Sequence, residues 1–314
     1  MSVPRYRLGV TGLGLPELLA SGEHAVFHGR PAAAVGVLEQ AVVLAQSQGL
    51  VTEVAEAAWL LGVALGARGH YGGALTVLSP LVASGSEQGA SPECRLLAAL
   101  SGSTVASIHR QLGRHAVARE ADLAALALTD GSGEAGFDAL LGLASDAIGL
   151  DEGDEAVERL AQAAAALPAG DEQWWRQRVR CGWTTAELAL LEGRTDDAAA
   201  HAAAAVQRAE DAGAPRHVAK GLLLLGLAEV SAGNDEAVGT LRRSATVAEP
   251  LAVLPVLWPV HALLGALLAD TDRVESDRSL RTARTAVLAI AGDLPPVVRT
   301  AWLGRPDVAA LLET

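Results

Sequence analysis

A pattern of Ala-x-x-x-apolar-x-x-small, the spacing that aligns one face of a helix, returns along this chain roughly every forty residues. The clearest copies are Ala34/Leu38/Ala41, Ala74/Leu78/Leu81, Ala156/Leu160/Ala163 and Ala198/Ala202/Ala205. Looser ones stand at Ala237/Leu241/Ser244, at Ala283/Val287/Ile290 and at Ala118/Asp122/Ala125, where an aspartate breaks the apolar rule. Successive lead alanines lie 40, 44, 38, 42, 39 and 46 residues apart. Alanine fills 64 of the 314 positions, so the stripe alone would arise by chance, and two further signals make it specific. Twelve residues before most lead alanines stands a small residue, Gly22, Gly62, Ala106, Ala144 or Ala186, which lets a second helix approach closely. Between the halves comes a glycine with a short polar turn, at Gly29, Gly69, Gly113, Gly153, Gly193 and Gly233. Glycine there suits the left-handed residue that ends one helix, and the next few residues cap the second.

A helical hairpin with such stripes cannot bury them alone, so the unit predicts stacked hairpins with a continuous core. Composition agrees: the chain is 50% hydrophobic but only 3% aromatic, with three isoleucines, which favours closely packed helices over strands. The copy running through Ala58-Trp59-Leu60-Leu61-Gly62, Leu65, Gly69, Tyr71, Ala74, Leu78 and Leu81 resembles the tetratricopeptide repeat, with that family's spacing throughout. The family unit is 34 residues, shorter than the forty seen here. The extended unit looks like the tetratricopeptide-like sensor regions of bacterial transcription regulators, alanine-rich actinobacterial ones in particular, over residues 15–292. The resemblance implies an all-α, right-handed superhelical α-solenoid of about seven such hairpins. Residues 1–14 read as a lead-in, and residues 293–314, with Pro295-Pro296 and Trp302 before a short helix at 307–312, read as a C-terminal cap.

A net charge of -13 opposes direct nucleic-acid binding, which needs cations to displace phosphate counterions. Lys220 is the sole lysine and Gly221 follows it, so no P-loop exists. Cys94 and Cys181 stand in no CxxC, which suits packed thiols in a cytoplasmic protein. Residues 251–269 carry no formal charge over a length near that of a membrane span, but Pro255, Pro259 and His261 interrupt them and acids flank them. They are expected to form a buried solenoid helix and to offer the candidate surface for a homodimer.

Candidate chemistry is sparse. Gly9-Val10-Thr11-Gly12-Leu13-Gly14 has the wrong glycine spacing for a dinucleotide turn and no following βαβ unit. His24 and His28 share a helix face as a zincin pair does, yet Glu23 precedes rather than follows and no third ligand is near. Ser101, Ser103, Ser107 and His109 cluster on one helix, but small serine faces are common where helices pack. The acidic runs around Asp154-Glu155 and Asp196-Asp197 suit the positive ends of helices. These features predict no catalytic residues, no metal and no cofactor.

In the resembled family the first helix of each hairpin lines an inner groove, and that correspondence selects the candidate binding residues. They are Glu56, Trp59, Leu60 and Val63 in the second hairpin, and Ser103, Ser107 and Arg110, with Thr104, in the third. The fifth supplies Arg180, Trp183, Thr184 and Glu187, and the sixth Leu223 and Leu227, with Lys220 and Leu224. Tryptophan is favoured at binding hot spots, and Trp59 and Trp183 fall on groove positions. The plainer alternative is that they fill space that alanine leaves empty. The lysine and asparagine clamp of chaperone-binding family members is absent, since Trp59, Val63, Ser103 and Ser107 stand at its positions. A mixed apolar and weakly polar groove implies a protein or peptide partner with an apolar or amphipathic segment. The expected function is a noncatalytic protein or peptide binding scaffold. The alternative is a domain that senses a small molecule or peptide alongside a transcription regulator.

Overall fold

The structure is a computed structural model that describes residues 12–313 apart from 86, 88 and 171; most of the lead-in, including Gly9, Val10 and Thr11, lies outside them. The described residues form sixteen α-helices and no strand. Fourteen of the helices pair as seven consecutive hairpins: α1 (Leu15–Phe27) with α2 (Pro31–Gln48), α3 (Val51–Arg68) with α4 (Tyr71–Gly85), and α5 (Pro92–Gln111) with α6 (His115–Ala127). Next come α7 (Gly133–Gly149) with α8 (Gly153–Ala165), α9 (Trp175–Leu191) with α10 (Thr195–Asp211), α11 (Pro215–Ser231) with α12 (Ala237–Ala248), and α13 (Leu254–Leu267) with α14 (Arg273–Asp293). Two short helices follow, α15 (Pro296–Leu303) and α16 (Pro306–Glu313).

The repeat works as a peg and a slot. Leu38 and Leu78, on the second helices of their hairpins, are fully buried against glycines on the first. A Cβ added at Gly22 would sit 2.4 Å from the Leu38 side chain, and one at Gly62 would sit 2.4 Å from Leu78. Gly226 with Leu241 and Gly265 with Leu280 repeat the fit at 2.7 and 2.5 Å. Each buried leucine contributes about 1.5–3 kcal/mol, and any side chain in the slot forfeits part of it through overpacking. The predicted glycine turns hold at Gly69, Gly113, Gly193 and Gly233, which have positive φ. Two do not: Gly29 keeps an ordinary conformation, and before α8 the left-handed residue is Asp151 at φ 62°, leaving Gly153 to open the helix.

The solenoid closes on itself. Tyr71, Ala74, Leu78 and Ile108, from hairpins two and three, share one buried cluster with Val287 and Ile290 of α14 and with Trp302 of α15. The Asp293 carboxylate accepts from the Gly72 and Gly73 amides at 2.6 and 3.2 Å, capping the start of α4 from more than two hundred residues away. Across the ring, His28 Nδ1 donates to the Ala212 carbonyl at 2.9 Å, and the His28 and Trp175 rings pack at 5.0 Å. The C-terminal helices therefore do more than cover the last hairpin, because Val308 and Leu311 reach the same cluster as Ile108 and Leu112.

Residues 251–269 behave as a core element. Leu251, Val253, Val256, Leu257, Val260, Leu264 and Leu268 are all buried against α11 and α12, so the apolar face offered above for a homodimer is consumed within the chain. Among the described residues no helix is long and apolar enough to cross a membrane.

Candidate functional site

Closure leaves a cavity of about 560 Å³ on the axis, lined by α3, α5, α7, α9, α11 and α13 and by Arg305 from the turn between α15 and α16. Its walls follow from helical spacing. Trp59, Val63 and Gly66 on α3, Ser103, Ser107 and Arg110 on α5, and Arg176, Arg180, Trp183 and Glu187 on α9 recur at three- and four-residue steps, so each set faces one way. Arg216, Lys220, Leu223 and Leu227 continue the stripe on α11.

Eleven of the thirteen residues selected from the sequence meet at this cavity: Trp59, Val63, Ser103, Ser107, Arg110, Arg180, Trp183, Thr184, Glu187, Leu223 and Leu227. Thr104, Lys220 and Leu224 join them. Two do not. Leu60 lies one position round the helix from Trp59 and is buried against Val26, Phe27 and Leu38 in a core cluster. Glu56 stands a turn before Trp59, outside the lining, where burial and the neighbouring Glu23 and Glu53 charges raise its carboxyl pKa. Trp59 is partly exposed and donates to Thr104 Oγ1 at 3.3 Å, while Trp183 is 6% exposed and so serves both core and wall. Trp302, at 1%, belongs wholly to the core.

The walls are not weakly polar, as the groove was expected to be. The lining holds six basic residues, Arg110, Arg176, Arg180, Arg216, Lys220 and Arg305, against two acids, Asp138 and Glu187, inside a chain of net charge -13. Arg110 is the most fully answered. Its Nη1 donates to Asp122, to both oxygens of Asp146 at 3.2 Å and to the Gly142 carbonyl at 3.3 Å. Burial disfavours its charge, but the two carboxylates outweigh that and raise its pKa. Asp122 is the residue that broke the apolar pattern; it occupies a leucine position of other hairpins, and Gly142 opposite leaves its carboxylate room.

Around α9 and α11 the pairing is thinner. Arg180 bonds Asp138, Arg176 bonds Glu134 and lies 3.6 Å from Asp138, and Lys220 Nζ lies 3.9 Å from Glu187 while resting 4.7 Å above the Trp183 ring. Among the described residues Arg216 has no carboxylate within salt-bridge reach, and its Nε is buried without a partner. Burial, with Arg176 and Arg180 nearby, lowers its pKa to about 10. His217, 1% exposed, stacks on Trp183 at 5.4 Å and meets Trp175 edge-on at 5.0 Å. Burial and the surrounding arginines hold it well below the usual histidine range, so it is neutral.

His24 and His28 do share a face, stacked at 5.4 Å, but His28 is engaged with Trp175 and the Ala212 carbonyl. Among the described residues no group of three potential ligands is gathered for a metal. The sequence reading missed Arg176, Arg216, His217, Trp258 and Arg305, and every residue of α7, including Asp138. Arg176 and Arg216 were within reach, since each lies one helical turn before a residue already on the stripe.

No protein-family model and no curated protein sequence matches the chain. Among solved structures it is similar to a Rap protein complexed with competence and sporulation factor, at 12% identity and a TM-score of 0.65, covering 95% of this chain and 85% of that one. Weaker likenesses are to aspartyl phosphate phosphatase F from Bacillus subtilis (13% identity, 97% and 84% covered, TM-score 0.49) and to the apo form of RapI (11%, 95% and 84%, 0.45). At these identities the likeness is one of fold: a helical-repeat solenoid over nearly the whole chain.

Proposed function

We propose that this protein is a noncatalytic regulatory scaffold that takes a short peptide into its axial cavity. The observation that carries the reading is the cavity of about 560 Å³, open on part of its surface, on which the inner helices of six hairpins converge. Ligand sites of this kind run from about 300 to 1,000 Å³, enough for a few extended residues. Trp59, Trp183, Leu223 and Leu227 supply apolar wall, and Thr104, Ser107 and Thr184 supply hydroxyls to orient a backbone. The solved Rap protein that shares the fold was crystallised with competence and sporulation factor, which supports a bound regulatory factor as the kind of occupant such a solenoid takes.

The test is thermal shift against a library of short peptides, repeated on Trp59→Ala and Trp183→Ala. A peptide present at 100 times its Kd stabilises by about 2.7 kcal/mol, a readily measured rise in melting temperature. The reading expects such a rise in the wild type and its loss in Trp59→Ala. A shift produced by metabolites and by no peptide favours the small-molecule sensor instead, and a flat response to both removes the cavity as a binding site.

A further inference from the structure

We propose that the cavity contains a subsite for a single carboxylate, built by Arg216 at the start of α11 with Arg176 and Arg180 of α9 beside it. The inference deepens the peptide reading above and rests on it for the rest of the ligand.

Charge counting isolates the subsite. Four cations gather at this end of the cavity, Arg176, Arg180, Arg216 and Lys220, and three carboxylates answer them. Glu134 is taken by Arg176, Asp138 is shared by Arg176 and Arg180, and Glu187 faces Lys220. Arg216 is the remainder, one cation without an anion among the described residues.

Hydrogen-bond capacity points to the same place. Arg216 Nη2 lies 3.5 Å from His217 Nε2, so the neutral imidazole accepts there and carries its hydrogen on Nδ1. That leaves Arg216 Nε, His217 Nδ1 and Trp183 Nε1 as three buried donors on adjoining helices with no acceptor among the described residues. Buried donors are rarely left unmade, and a carboxylate has two oxygens with about four acceptor sites to meet them. Helix polarity adds a further pull. Arg176 and Arg216 occupy the first turns of α9 and α11, neither of which has an acidic residue there, so cations stand at the positive ends of two helices. The outer helices α8 and α10 follow the opposite rule, with Asp154, Glu155, Asp196 and Asp197 in their first turns. An anion between Arg176 and Arg216 relieves both arrangements at once.

The carboxylate could belong to the end of a peptide, to an acidic side chain, or to a small organic acid, and one set of titrations separates these sources. Pentapeptides are used in matched C-terminal acid and amide forms, with and without an internal glutamate, beside succinate alone, on wild type, Arg216→Met and Trp59→Ala. The proposal expects the carboxylate-bearing form to bind about 30-fold more tightly than its neutral match, and Arg216→Met to abolish that ratio. A preference for acid over amide ends assigns the terminal carboxylate, a preference for glutamate peptides the side chain, and an Arg216-dependent response to succinate alone the small acid. The last outcome keeps the subsite and removes the peptide. Acid and amide forms that bind equally, with loss only in Trp59→Ala, keep the peptide and overturn the subsite. A ratio that survives Arg216→Met, or no response to any carboxylate, also overturns it.

Discussion

Two guanidinium groups face the same cavity and stand in opposite electrostatic states. Arg110, on the α5 to α7 side, has two buried carboxylates and a backbone carbonyl. Arg216, on the α9 to α11 side, has no carboxylate among the described residues and a buried Nε with no acceptor among them. Burying a charge costs several kcal/mol unless it is paired, so the first arrangement is one that the fold has completed for itself. The second is complete only when something else supplies the anion. The α5 to α7 side also leans on the C-terminal helices, where Arg305 donates to the Gln111 carbonyl at 2.9 Å, whereas the α9 to α11 side meets α1 through His28 and through Arg176, 4.9 Å over the Phe27 ring. One wall of the cavity is built as structure, and the other keeps unused valences.

Breaking the completed side should have the largest effect. Arg110→Met strands Asp122 and Asp146 in the interior, and the expected loss is about 3–5 kcal/mol in urea unfolding. A loss below about 1 kcal/mol would mean that the buried pair gains nothing from the arginine. The seams come next. Asp293→Ala removes the cap on Gly72 and Gly73 and should cost about 1–2 kcal/mol, while His28→Ala removes one hydrogen bond on the opposite seam and should cost about 1 kcal/mol. The order of those two values tests whether the seam between α4 and α14 is closed more firmly than the one at His28, and a reversal would count against it.

A smaller effect concerns pH. Burial, opposed by Arg110, pushes the Asp122 carboxyl up to about 7 and moves Asp146 in the same direction. A carboxyl with a higher pKa folded than unfolded stabilises the protein fully below the ordinary carboxylate range. That contribution is lost as pH rises through the folded value. His217 has the opposite sign, since its lowered pKa gives a contribution present above the ordinary histidine range and lost on acidification. Asp122→Asn separates the two: unfolding free energy compared at about pH 5 and about pH 8 should show the alkaline loss in the wild type and a flatter response in the variant. Equal slopes would place the proton elsewhere.

The hairpins were legible because their signal is periodic and local. Gly22, Gly62 and the alanine stripe encode a contact between neighbouring helices, and the groove stripe needs only one correct register on each inner helix. Leu60 was misplaced because it lies one step from Trp59, a rotation of about 100° that moves a side chain from cavity to core. Ring closure was not legible. Asp293 on Gly72 and His28 on Ala212 join residues that share no repeat position, so no spacing announces them. The charge of the cavity lay between these cases. Asp122 was visible as an aspartate at an apolar position, and a buried aspartate demands a cation, but choosing Arg110 required the third dimension. Arg216 was hidden by the acidity of the whole chain, which described the outside and not the axis.

The central claim, that Arg216 is held without an anionic partner among the described residues, is tested most directly by urea unfolding of ligand-free Arg216→Met beside the wild type. Methionine keeps the apolar stem and deletes the charge, so the account predicts unchanged or greater stability, opposite in sign to Arg110→Met. A loss of about 2 kcal/mol or more would show that Arg216 already has its anion within the fold and would contradict the account.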